Sequence, residues 1–89
     1  MKTGIGLISD ERKRQIEVEG WTSQHDDQQT VFELSRAACA YLNNSRTDDV
    51  KRFWPWDWKW WKPSEDRIRN LVKAGALIAA EIDRLQRAQ

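Results

Sequence analysis

Phe53-Trp54-Pro55-Trp56-Asp57-Trp58-Lys59-Trp60-Trp61-Lys62-Pro63 holds five of the six tryptophans of an 89-residue chain. Its two prolines lack a backbone N–H and restrict the residues before them, so the stretch is neither a regular helix nor an internal strand. Trp54, Trp56, Trp58 and Trp60 recur with period two and would share one face of an extended segment, with Asp57, Lys59 and Trp61 on the other. Five indoles carry more apolar area than a surface loop leaves wet, at ~25 cal/mol per Å². They therefore pack on the rest of the chain, on a partner or on a ligand. Two readings follow. In the first, the segment is an aromatic strap that belongs mainly to the core. In the second, some of the rings wall a site for a planar ligand.

Outward from this stretch, the sequence predicts an all-α domain spanning residues 1–89. Residues 1–8, with Gly4 and Gly6, read as a flexible lead-in. Ser9 is the expected N-cap of a polar helix from about Asp10 to Glu19, stopped by Gly20. Trp21 to Gln29 reads as a loop. Thr30 and Glu33 fit a capping box, opening a helix that carries Val31, Leu34, Ala37, Ala38, Tyr41 and Leu42 at helical spacing and ends near Asn43-Asn44. Ser45 to Lys51 is a polar linker into the strap. After Pro63, Ser64 is the expected cap of a long C-terminal helix reaching about Arg87. Ile68, Leu71, Gly75, Ile78, Ile82 and Leu85 are spaced 3, 4, 3, 4, 3 along it, a heptad seam of nearly three repeats. Gly75 costs ~1 kcal/mol against Ala in an exposed helix interior, so its presence predicts a close approach by a backbone or a bulky ring. The fold expected is three helices, with the Trp-rich segment packed across the long C-terminal one. A seam on so small a domain predicts a homo-oligomer through residues 65–88.

Fifteen Lys and Arg against 14 Asp and Glu leave a net charge of +1, which argues against a general nucleic-acid coat protein. Cys39 is the only cysteine, so no intrachain disulfide forms, and no Cys/His cluster supports structural zinc. The short apolar patch Ile5 to Ile8 predicts neither a signal peptide nor a membrane span, and the expected setting is intracellular. No cofactor or metal is expected.

His25-Asp26-Asp27 invites a catalytic reading, because a histidine beside carboxylates can act as a general base. The chain has no second histidine, and Glu33 and Glu81 stand apart, so the pattern fits a helix-capping or ligand-contacting loop better than a catalytic one. Arg12 and Arg14 lie on the helix preceding that loop. If the helix folds back, their guanidinium groups would hold phosphate oxygens beside Trp21, with the carboxylates accepting from hydroxyl or amino groups. The candidate ligand residues are Arg12, Arg14, Trp21, His25, Asp26, Asp27, Trp54, Trp56 and Trp60, with no catalytic residue assigned.

Glu11-Arg12, Glu19-Gly20-Trp21-Thr22, His25-Asp26-Asp27, Trp54-Pro55-Trp56-Asp57, Trp60-Trp61-Lys62-Pro63 and Leu71 to Ile78 together resemble a family of small proteins encoded by tailed bacteriophages and prophages. That resemblance implies an accessory protein acting in the cytoplasm of the bacterial host. The order Arg12, Arg14, Gly20-Trp21-Thr22, Asp26-Asp27 is also similar to the RyR domain, a small helical module, although the spacing is shorter here and the strap is extra. This second resemblance implies a nucleotide-binding module. Three functions remain open: a non-enzymatic binder of a small anionic, nucleotide-like ligand such as a host immune signal; an inhibitor that meets a host or defence protein through exposed Trp and Arg; and a small nucleotide hydrolase using His25, Asp26 and Asp27.

Overall fold

A computed structural model describes residues 1–44 and 46–89 and is helical, with no strand among them. The helices are α1 (Gly4–Glu17), α2 (Ser23–Asp27), α3 (Glu33–Leu42), α4 (Thr47–Phe53) and α5 (Arg67–Arg87), with a single 3-10 turn at Trp58–Trp60. The spine is α5. It packs along α3 and α1 and touches α2, while α4 rests on α3. Small residues let these helices approach. Ala37, Ala38 and Ala40 of α3 and Ala74, Ala76 and Ala80 of α5 are buried, with Leu34 and Leu77 fully enclosed and Tyr41 and Trp54 nearly so.

Several sequence expectations are corrected. The lead-in is helical, because α1 starts at Gly4 with the Thr3 hydroxyl accepting from the Gly6 N–H, and Ser9 lies inside the helix. Packing explains this: the Ile8 side chain lies over Gly75 of α5, where an added Cβ would come within 2.6 Å of Ile8 Cδ1. The close approach predicted at Gly75 is real, but an isoleucine makes it rather than an indole or a backbone. The stretch read as a loop contains α2, capped by the Thr22 hydroxyl. Thr30 does not cap α3. Its N-cap is Phe32, held at φ 64° and largely exposed, while the Glu33 carboxylate reaches back to the Val31 N–H at 2.6 Å. Of the polar linker, Ser45 lies outside the described residues, and Thr47 onward forms α4 with Asp48 and Asp49 in its first turn. Acids there favour the helix dipole.

At the start of α5, Asp66 rather than Ser64 is the cap and accepts from the Ile68 N–H. The Asn70 amide then bonds both the N–H and the carbonyl of Ser64, which fixes the end of the strap to the spine. The helix spans the predicted range with its seam facing outward: Ile68, Leu71, Ile78, Ile82 and Leu85 are all exposed. The core side is Val72, Ala74, Ala76, Leu77 and Ala80.

The period-two reading of the strap also gives way. Pro55 and the 3-10 turn break the extended run, so the rings do not alternate between two faces. Trp54 is buried, and Trp61 packs against it and against Tyr41, with centroids 4.8 and 4.7 Å apart. Trp58, by contrast, is 52% exposed. No helix of the described residues is long and apolar enough to cross a membrane.

Candidate functional site

Gly20, at φ 76°, turns the chain after α1, a backbone conformation that glycine adopts without strain. Trp21 then closes the turn, its N–H donating to the Gln15 carbonyl at 3.0 Å. Four residues on, α2 brings His25 parallel to Trp21, with centroids 5.9 Å apart and planes within 5°. Trp56 arrives from the strap at 51° to Trp21 and 5.6 Å from it. Gln29 clamps it there: its Oε1 accepts from Trp56 Nε1 at 2.9 Å, and its Nε2 donates to the His25 carbonyl. Trp60, 41% exposed, completes the wall. Between these rings opens a cleft of about 390 Å³ that also receives the side chains of Glu19 and Asp57. Its size is that of sites for small organic ligands, at about 300–1,000 Å³.

Glu19, Trp21 and Trp60 also border a narrow recess of about 20 Å³, walled on its far side by Glu11, Gln15 and Tyr41. The recess has room for one small polar group. Gln15 is 2% exposed; its Nε2 donates to Glu11 Oε2 at 3.1 Å, while its Oε1 has no partner within the protein.

The charges around the cleft are paired with one another. Arg14 grips Glu11 through Nε at 2.8 Å and Nη2 at 2.9 Å, and reaches Glu19 with Nη1 at 3.1 Å. Arg69 adds a bond to Glu11 at 2.6 Å. Burial alone would raise the Glu11 carboxyl, but the bonds from Arg14 and Arg69 prevail and hold it below its ordinary value. The Glu11 bond in turn raises the Arg14 guanidinium above its usual range. Lys73 Nζ donates to the Lys62 carbonyl, and burial, with Arg69 nearby, lowers its amine. Lys59 and Lys62 place their ammonium groups 5.3 and 5.8 Å from the Trp60 ring, at the rim.

The predicted site residues divide accordingly. Trp21, His25, Trp56 and Trp60 are brought together at the cleft. Arg12 and Asp26 lie beneath it as an ion pair at 2.9 Å, with Asp26 fully buried. Asp26 also takes His25 Nδ1 at 2.9 Å, and an ionised carboxylate only accepts, so Nδ1 is the donor. The pair thus orients the histidine ring and is not free to hold a ligand. Arg14 borders the recess, but its guanidinium is taken by two carboxylates. Asp27 faces another side, bonded to Arg87 at 2.8 Å. Trp54 belongs to the core, its ring edge-on to Tyr41 and its Nε1 donating to the Asp57 carbonyl. The expected convergence of guanidinium groups on a phosphate therefore does not occur, because neighbouring acids claim them first.

Glu19, Gln29 and Asp57 escaped the sequence reading. Asp57 stands between two tryptophans and Glu19 two residues before Trp21, a signal that could have found them. Gln29 carries none, since its role depends on where the strap crosses α2. Among the described residues, no group of three or more His, Cys, Asp or Glu side chains is placed to hold a metal. Comparison with protein-family models, with curated proteins and with solved structures returns no match.

Proposed function

We propose that this chain is a binding module, acting without turnover, that takes a flat, nucleobase-like ring in the cleft between Trp21, Trp56 and Trp60. The observation that carries the reading is the set of fixed indole faces around an open space of about 390 Å³. The Gln29 clamp sets Trp56, and the Arg12–Asp26 pair sets the His25 ring that stacks on Trp21, so little freedom of these side chains is lost when a ring enters. Asp57, and the lone pairs of Glu19 that Arg14 at 3.1 Å and Lys62 at 3.6 Å leave open, accept from amino or hydroxyl groups of the ligand. An anionic tail stays at the rim, near Lys59 and Lys62. Non-catalysis is favoured because the carboxylate beside His25 is buried and committed to Arg12, which leaves the imidazole without a second group to share acid–base work. The resemblance to small phage and prophage proteins suggests the setting: capture of a nucleotide-derived signal in the bacterial host.

Calorimetry with adenosine monophosphate as the probe tests this reading. Stacking on an aromatic side chain contributes ~1–3 kcal/mol per base. Trp60→Ala should therefore weaken binding by roughly 5- to 150-fold, and the nucleotide should be recovered intact. Absence of binding by adenosine, guanosine, cytidine and uridine monophosphates alike overturns the reading, and hydrolysed nucleotide overturns its non-catalytic part. A second reading, an inhibitor of a host or defence protein, is favoured by Trp58, which is 52% exposed, and by Phe32, 70% exposed at φ 64°. Under that reading Trp58→Ala and Phe32→Ala abolish capture of a host protein while Trp56→Ala does not.

A further inference from the structure

We propose that the outer face of α5 pairs with the same face of a second copy of this chain, the two helices running antiparallel about a two-fold axis. Ile68, Leu71, Ile78, Ile82 and Leu85 form one stripe, exposed by 62, 39, 44, 51 and 49%. None of the seam positions from Ile68 to Leu85 is charged. The gap in the stripe at Gly75 is filled by Ile8 of α1. Because Ile8 meets Gly75 and Glu11 meets Arg69, α1 runs antiparallel to α5. Ile5, 83% exposed, therefore lies one turn further along α1, beside the C-terminal half of the stripe. The face is thus built by two helices.

Its area is enough for the apolar centre of a dimer interface, the polar rim supplying the rest. The five α5 side chains and Ile5 leave roughly 600 Å² of apolar surface in solvent, at the top of the ~300–600 Å² found for the largest patch on a monomer. A stable interface buries about 800 Å² per partner, of which the centre is apolar and the rim polar. The stripe supplies that centre.

The spacing points to a second copy rather than to a different protein. A run of 3, 4, 3, 4, 3 reads the same in both directions. An antiparallel two-fold sets Ile68 opposite Leu85, Leu71 opposite Ile82 and Gly75 opposite Ile78, so the face complements itself in length and bulk. The same register opposes the two helix dipoles. The α5 face is separate from the cleft, so the proposal stands independently of the ligand.

Sedimentation at micromolar concentration tests it. The wild-type chain should sediment as a dimer. Ile82→Glu, at a position open to solvent within one chain, should sediment as a monomer with unchanged helical circular dichroism. The register has its own readout: Ile68→Glu and Leu85→Lys should each weaken association at least tenfold, while the double variant, with Glu opposite Lys at both ends, recovers most of it. A monomeric wild type, or a dimeric Ile82→Glu, overturns the proposal. A double variant no better than the singles overturns the antiparallel register.

Discussion

Trp54→Ala separates the core side of the tryptophan segment from its open side. Trp54 is 5% exposed and touches three aromatic rings: Tyr41 at 5.7 Å, Trp56 at 5.3 Å and Trp61 at 4.8 Å. Truncating a buried Trp costs ~3–5 kcal/mol through lost transfer energy and the cavity left behind. The lost ring geometry adds ~0.5–1.5 kcal/mol per pair, in part already counted in that range. The Asp57 carbonyl also loses the indole donor at 3.2 Å. A loss of about 5 kcal/mol is expected. An 89-residue domain at ~0.05–0.15 kcal/mol per residue has about 4–13 kcal/mol in total, so the variant is marginal or unfolded. Trp60 is 41% exposed, so roughly 150 Å² of it is covered; at ~25 cal/mol per Å² its truncation should cost at most about 3.5 kcal/mol, less than Trp54 because no core cavity is left behind. Urea unfolding followed by circular dichroism gives both values. Equal losses for the two variants, or a Trp54→Ala midpoint matching wild type, would refute the division of the segment into core and cleft.

Asp26→Asn should cost about 3–5 kcal/mol, because it leaves Arg12, 14% exposed, as an unpaired charge; Arg12→Met with Asp26→Leu should recover most of the loss in the same unfolding assay. Glu11 titrates below its ordinary 4.5 in the folded chain, so the unfolded chain takes up the proton first as pH falls. Its contribution is complete above about 4.5 and disappears as pH drops through the lower folded value; thermal midpoints measured down that range should fall less steeply for Glu11→Gln than for wild type. Gly75→Ala gains ~1 kcal/mol of helix propensity but drives a methyl against Ile8, for ~1–3 kcal/mol of overpacking. The single variant should therefore be destabilised or neutral, and in an Ile8→Ala background the same change should stabilise, a sign reversal that a double-mutant cycle reads directly.

The helical class, the long C-terminal helix and the core positions Leu34, Ala37, Ala38 and Tyr41 were legible because they follow local periodicity, whereas Val31, which precedes α3, and Leu42, at its end, share that spacing and are exposed. So was the tight approach at Gly75, since a glycine costs stability that only packing justifies. The α1 start at Gly4 was hidden because contact between Ile8 and Gly75 overrides two weak helix formers. The outward direction of the Ile68 to Leu85 stripe was not readable, since a heptad pattern states that a face is apolar and not which neighbour covers it. At the site, the rings were legible from composition, and the roles of the arginines were not. Arg12 and Arg14 looked available for a phosphate, but Asp26, Glu11 and Glu19 lie within hydrogen-bond distance once α1 folds beside α2 and α5. Competition between internal acids and a ligand is a tertiary property.

A flat ring in the cleft between Trp21, Trp56 and Trp60 would change the surroundings of those three indoles and leave the others as they are. The six indole N–H groups of the chain report on it individually in a nitrogen–proton correlation spectrum recorded during titration with adenosine monophosphate. Saturable shifts should concentrate on Trp21, Trp56 and Trp60, with Trp54 and Trp58 nearly unmoved. Shifts confined to Trp58, or a spectrum unchanged by the nucleotide, would contradict it.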